Sequence, residues 1–182
     1  MTTRHIAKCA VTATAVQNGF TLVELLVALA MVVILTTVAV PSFRGLTIRN
    51  RLEAQTVGLA ADLTFARTEA IRRGATVVVC PGTATNCAGS SWNAERLIFV
   101  NTTGATESFD SGDILLRVAA APSADDTLTA QTPVESVQFR PDGTTSAAVS
   151  FQTCHPGFTG KSFTLRRIGS VSGTQSLEEP CQ

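Results

Sequence analysis

From Phe20 to Val40 the chain runs through about 21 residues with a single charge, Glu24. A helix of that length rises ~1.5 Å per residue and crosses the ~30 Å hydrocarbon core of a bilayer. A cleaved secretory signal is the competing reading, with Arg4 and Lys8 as its charged start. Such a signal has an apolar core of only ~7 to 15 residues and closes on a small-residue cleavage site, whereas this run continues to Pro41. A retained spanning helix is the expectation. Glu24 then calls for a partner, because an acid at the centre of a membrane helix costs ~2.5–3.5 kcal/mol. Its place near the helix start also sets it against the positive end of the helix dipole.

Beyond the span, Pro41 and Gly45 are expected to bend or loosen the helix. The helix then continues, with Ile48, Leu52, Leu59, Leu63, Ala66 and Ala70 making one apolar stripe and Arg49, Arg51, Glu53, Asp62, Arg67 and Glu69 free to lie on other faces. Arg72 and Arg73 suit the negative end of its dipole, and Gly74 suits a left-handed cap. From Ala75 the pattern changes to short β-branched or aromatic runs between turn residues. Strands are predicted over Ala75 to Cys80, Arg96 to Asn101, Asp113 to Ala119, Val134 to Arg140, Ala147 to Thr153 and Ser162 to Ile168, with a hairpin turn at Arg140-Pro141-Asp142-Gly143-Thr144. The stretches Pro81 to Ser91, Asn101 to Gly112 and Ala120 to Thr132 read as polar loops.

Four cysteines, Cys80, Cys87, Cys154 and Cys181, follow the span, and Cys9 precedes it. An even set in an exported domain reads as two disulfides formed in an oxidising compartment. Three pairings are open, and Cys80 with Cys87 and Cys154 with Cys181 is the preferred one. A zinc site with His155 is the rival, but the spacing is irregular and lacks a Cys-x-x-Cys pair. No metal or cofactor is expected.

The block Gly19-Phe20-Thr21-Leu22-Val23-Glu24 resembles the prepilin cleavage and methylation motif of type IV pilins and type II secretion pseudopilins. That resemblance implies a prepilin peptidase that cuts after Gly19 and methylates the new amino terminus on Phe20. It also implies that Glu24 neutralises the methylated terminus of a neighbouring subunit during assembly. With Val-Val-Val-Cys-Pro after the helix and Phe-Arg-Pro-Asp-Gly later, nearly the whole mature chain resembles the GspH/FimT family of minor pilins and minor pseudopilins. The implied fold is α+β and pilin-like, a long N-terminal helix packed on an antiparallel β-sheet domain. The expected organisation is a leader over 1–19, a transmembrane and assembly helix over 20–44 and a periplasmic domain over 45–182, anchored in the inner membrane before incorporation into a filament. The implied partners are other pilins or pseudopilins.

The chain carries 14 basic and 14 acidic residues, and loss of Arg4 and Lys8 with the leader leaves 12 against 14, a formal charge of −2. That balance argues against a generally basic nucleic-acid binder. No catalytic constellation is present, so a non-enzyme is expected. DNA capture is the sharpest competing function, with Lys161, Arg166 and Arg167 as its candidate contacts, Arg67, Arg72 and Arg73 as a second cluster, and Trp92 and Phe99 as possible stacking platforms. The family's DNA-uptake members carry Gly-Arg-x-Arg near the carboxyl end, where this chain has Gly169-Ser170-Val171-Ser172. A minor subunit that primes or caps a type IV pilus is the leading expectation, with a type II secretion pseudopilus tip as the alternative.

Overall fold

A computed structural model describes residues 19–83, 86–87, 89–104 and 108–181. The leader expected over 1–19, with Cys9, lies outside these residues except for Gly19. The first element, α1, spans Leu22–Arg73. Thr21 caps it: its Oγ1 accepts from Glu24 N at 3.2 Å and its carbonyl accepts from Leu25 N at 3.1 Å. Thr21-Leu22-Val23-Glu24 therefore has the spacing of a capping box, a local reason for the helix to begin here. The helix continues without a break through Pro41 and Gly45, where a bend or loosening was expected. One missing donor removes one backbone bond and leaves the turns on either side in place.

The chain divides after Ser42 into two compact units. In the first, the apolar side chains of the helix are exposed, from Phe20 at 78% onward. Its threonines bond within the helix: Thr36 Oγ1 donates to Val32 O and Val33 O, and Thr37 Oγ1 to Ile34 O. The segment thus offers an apolar surface with its hydroxyls satisfied internally, as a bilayer requires. By length and composition it suffices to cross a membrane.

The second unit packs the rest of α1 on two antiparallel sheets. The strands are β1 (Val77–Thr83), β2 (Asn86–Cys87), β3 (Glu95–Val100), β4 (Ile114–Ala119), β5 (Thr127–Ala130), β6 (Val137–Phe139), β7 (Val149–Cys154), β8 (Thr159–Leu165) and β9 (Gln175–Pro180). One sheet has the order β2-β1-β3-β4, with β6 also on β1; the other has the order β5-β7-β8-β9. Leu59, Leu63, Ala66 and Ala70 of α1 meet Val77, Val79 and Ile98 of the first sheet and Phe151, Phe163 and Leu165 of the second in one buried cluster. Trp92 closes it, edge-on to Phe151 at 4.9 Å, with its indole N–H donating to Val134 O at 3.0 Å. Every residue of the anticipated stripe except Ile48, which is half-buried, is fully buried. On the far face of the first sheet, Val78, Cys80, Leu97 and Phe99 form a smaller cluster.

Several sequence expectations need correction. β5 lies inside the stretch read as the loop Ala120 to Thr132, and neither β2 nor β9 was expected. β8 starts and ends three residues earlier than predicted because Arg166 already opens a turn, closed by Gly169 N donating to Arg166 O at 2.8 Å. The turn at Arg140 to Thr144 exists, with Arg140 N donating to Thr144 O at 2.9 Å and an antiparallel bridge between Phe139 and Thr145, but the strands on either side of it pair elsewhere. β6 pairs with β1 and β7 pairs with β5 and β8, so the turn carries the chain from one sheet to the other. Asp62, free by its spacing to lie off the apolar stripe, is buried between two arginines.

Candidate functional site

The N-terminal candidates occupy the first turn and the residues before it. Apart from its two chain neighbours, nothing described lies within 4 Å of a Cβ built on Gly19. Phe20 and Glu24 are both exposed, and Glu24 sits in the first turn, where the helix dipole favours a negative charge. The chemistry available is therefore a peptide bond at Gly19-Phe20, open on its described side, followed by an apolar rod with one carboxylate.

The cysteines form two disulfides, Cys80–Cys87 and Cys154–Cys181. The first ties β1 to β2, and the second fixes the end of β9 to the end of β7. Gly160 makes that closure possible, since a Cβ there would lie 2.5 Å from Thr153 O and 2.8 Å from Cys181 Sγ.

The three cations proposed for DNA do not gather. Lys161 Nζ donates to Ser176 Oγ and pairs with Glu53 Oε2, both at 3.1 Å. Arg166 lies five residues further along, ~16 Å away on an extended strand. Arg166 and Arg167 are exposed on the turn after β8. Of the second cluster, Arg67 Nε donates to Gly143 O at 3.1 Å. Arg72 and Arg73 both bond Glu69, and these bonds hold its carboxyl down to about 2. Trp92 and Phe99 are buried and offer no face to a base. At the Gly-Arg-x-Arg position, Ser172 Oγ accepts from Thr164 N at 2.7 Å and Val171 bridges Leu165.

His155 leads to a group that sequence reasoning missed. Its Nδ1 lies 2.8 Å from Asp126 Oδ1, to which Arg51 Nη2 donates at 2.7 Å, while Gln55 Nε2 donates to Asp126 Oδ2 at 2.7 Å. Burial pushes the Asp126 carboxyl up, but the bonds from Arg51, His155 and Gln55 outweigh it and leave the group below its ordinary value. Asp62 makes a similar centre, 3.3 Å from Arg96 and 3.2 Å from Arg117, whose guanidinium stacks 4.1 Å over Phe65. Both carboxylates join α1 to the strands or their connections. No signal in the sequence marked them, because their partners lie 29 to 75 residues away. Among the described residues no three His, Cys, Asp or Glu side chains converge as metal ligands would.

Comparison with known proteins agrees with this geometry. The domain's fold is similar to two crystal structures of the type IV minor pilin FimU of Pseudomonas aeruginosa strain PAO1. One is 21% identical with a TM-score of 0.57, covering 73% of this chain and 97% of that one. The other is 19% identical with a TM-score of 0.52, covering 69% and 97%. A model of the prokaryotic N-terminal methylation motif matches residues 14–40. The family model described as type II transport protein GspH matches residues 55–173, so the chain belongs to the GspH family.

Proposed function

We propose that this minor pilin or pseudopilin is cut between Gly19 and Phe20, held by its 20–44 segment in the inner membrane with its 45–182 domain in the periplasm, and then drawn into a type IV pilus, where it primes or caps assembly. The family is one of structural subunits that assemble with other pilins, and the protein is not an enzyme. The observation that carries the reading is the apolar helix surface beginning at Phe20, uncovered by any other part of its unit and lying within the methylation motif. Water does not stabilise so much contiguous apolar area; a bilayer first, and sister helices afterwards, both would. Glu24, the one charge on that surface, is suited to meet the amino terminus of a neighbouring subunit.

A type II secretion pseudopilus is the second reading, favoured by the description of the matching family model. Deleting the gene and scoring surface fibres and exoprotein secretion separates the two. Lost fibres with normal secretion supports the pilus; lost secretion with normal fibres replaces it with the pseudopilus. Of the candidate contacts, only Arg166 and Arg167 support DNA capture, since Lys161 is paired and Trp92 and Phe99 are inside.

A further inference from the structure

Beside the Asp126 centre the domain has a cleft of about 330 Å³, bounded by α1, the start of β3, the connection after β4 and the buried Leu128 of β5. Arg51, Gln55 and Gly58 line it from α1, at steps of four and three residues and so on one side of the helix. Ala121, Pro122 and Leu128 give it apolar walls, and no acidic side chain lines it.

Two buried polar atoms of this lining, Arg96 Nε and Gln55 Oε1, find no hydrogen-bond partner among the described residues. The Arg96 side chain is only 8% exposed, and Asp62 takes its Nη2 alone, at 3.3 Å. Gln55 has committed its amide nitrogen to Asp126 Oδ2 at 2.7 Å, which leaves the oxygen to accept from elsewhere. Buried polar atoms are normally bonded, because an unmet one has lost its hydration with nothing in return. Charge points the same way. Arg51, Arg96 and Arg117 share two carboxylates, Asp126 and Asp62, so one positive charge is left over.

Gly58 is an independent sign. It stands inside α1, where glycine weakens a helix relative to alanine. Neither backbone nor packing demands it: its φ is not positive, and nothing described outside its own stretch of helix lies within 4 Å of a Cβ built there. The missing side chain keeps the floor of the cleft open.

We propose that this cleft receives an acidic peptide segment of a partner protein. A carboxylate, from an acidic side chain or a chain end, meets Arg96 Nε; a peptide N–H meets Gln55 Oε1; and an apolar residue lies over Gly58 against Pro122 and Leu128. A simple anion brings no donor for Gln55, and an apolar molecule leaves both polar atoms unmet. A nucleic-acid strand would need aromatic faces for its bases, and none lines the cleft. The cleft lies wholly within the second unit, and the proposal goes beyond the assembly reading: it stands whichever filament the chain enters.

The test titrates the isotope-labelled full-length chain in detergent micelles with acetyl-Leu-Glu amide, acetyl-Ala-Leu with a free carboxyl, and neutral acetyl-Leu-Gln amide, following backbone amide signals. Saturable shifts at Gly58, Arg96 and Leu128, with a Kd on the order of 1 mM, are expected from at least one acid. The tighter acid names the source of the carboxylate, and the neutral peptide should bind roughly tenfold more weakly or worse. Gly58→Leu fills the floor and should weaken the acids by roughly tenfold or more, with thermal unfolding unchanged or raised, so that a lost signal is not a lost fold. Arg96→Lys keeps a cation for Asp62 but removes Nε, and should weaken the acids about fivefold without moving the neutral peptide. Equal binding of the neutral peptide overturns the proposal in favour of an apolar slot. Inorganic phosphate that shifts the same amides as strongly at the same concentration overturns it in favour of small anions of any kind. Undiminished binding by Gly58→Leu, or no saturable shift from either acid, removes the site.

Discussion

Asp126 is the residue on which the attachment of α1 to the second sheet turns most sharply. Its side chain is fully buried and bonded by Arg51, His155 and Gln55. Removing it as Asp126→Ala should cost about 2–3 kcal/mol in chemical denaturation, less than the ~3–5 of a fully enclosed pair, because Arg51 stays 32% exposed. The pH dependence has a definite sign. A carboxyl lowered in the fold stabilises above its unfolded value, ~3.9, and that stability disappears as pH falls through the lower folded value. Stability should therefore decline below about pH 4, and Asp126→Asn should flatten that acid limb; an unchanged limb would mean the carboxylate contributes little. Gly169→Ala tests the other end of the domain. It meets both a positive φ and the Gly143 carbonyl, so thermal unfolding should show a loss on the order of 2–4 kcal/mol.

At the scale of elements, the second disulfide ties down the residue that follows β9. Gln-Ser-Leu-Glu-Glu-Pro has one apolar residue and no inward alternation, and it forms an edge strand only against β8. Closing the ring between Cys154 and Cys181, separated by 27 residues, is worth about 3.5 kcal/mol in the loop-entropy account. Replacing both by serine should release β9 first, seen as fast amide exchange over 175–180 with α1 still protected. The same physics explains what was legible beforehand. The stripe from Leu52 to Ala70 and the runs of β1 and β3 bury their own apolar side chains, so periodicity reveals them. β5, with Leu128 as its one buried residue, and β9 are held by partners distant in sequence and carry no such pattern. The Asp62 and Asp126 centres were hidden likewise, since a lone aspartate in a helix or a polar loop reads as solvated until its arginines are placed.

For the whole molecule, the proposed function gives the apolar segment two tasks, membrane anchor and assembly contact. Glu24→Ala leaves a rod that still inserts, so membrane association should persist while incorporation into sheared filaments falls at least tenfold; unchanged incorporation would remove Glu24 from assembly. The motif, the rod and its single carboxylate were legible because lipid tolerates so few alternatives. The contact between the turns at Gly143 and Gly169 was not, because the fold alone brings these two distant stretches together. The most direct measurement is mass spectrometry of the amino terminus of the chain purified from membranes. The mature chain should begin at Phe20, monomethylated on nitrogen, with the entire apolar segment retained. A mature chain that begins beyond Val40 and is recovered in the soluble fraction would contradict the proposed function.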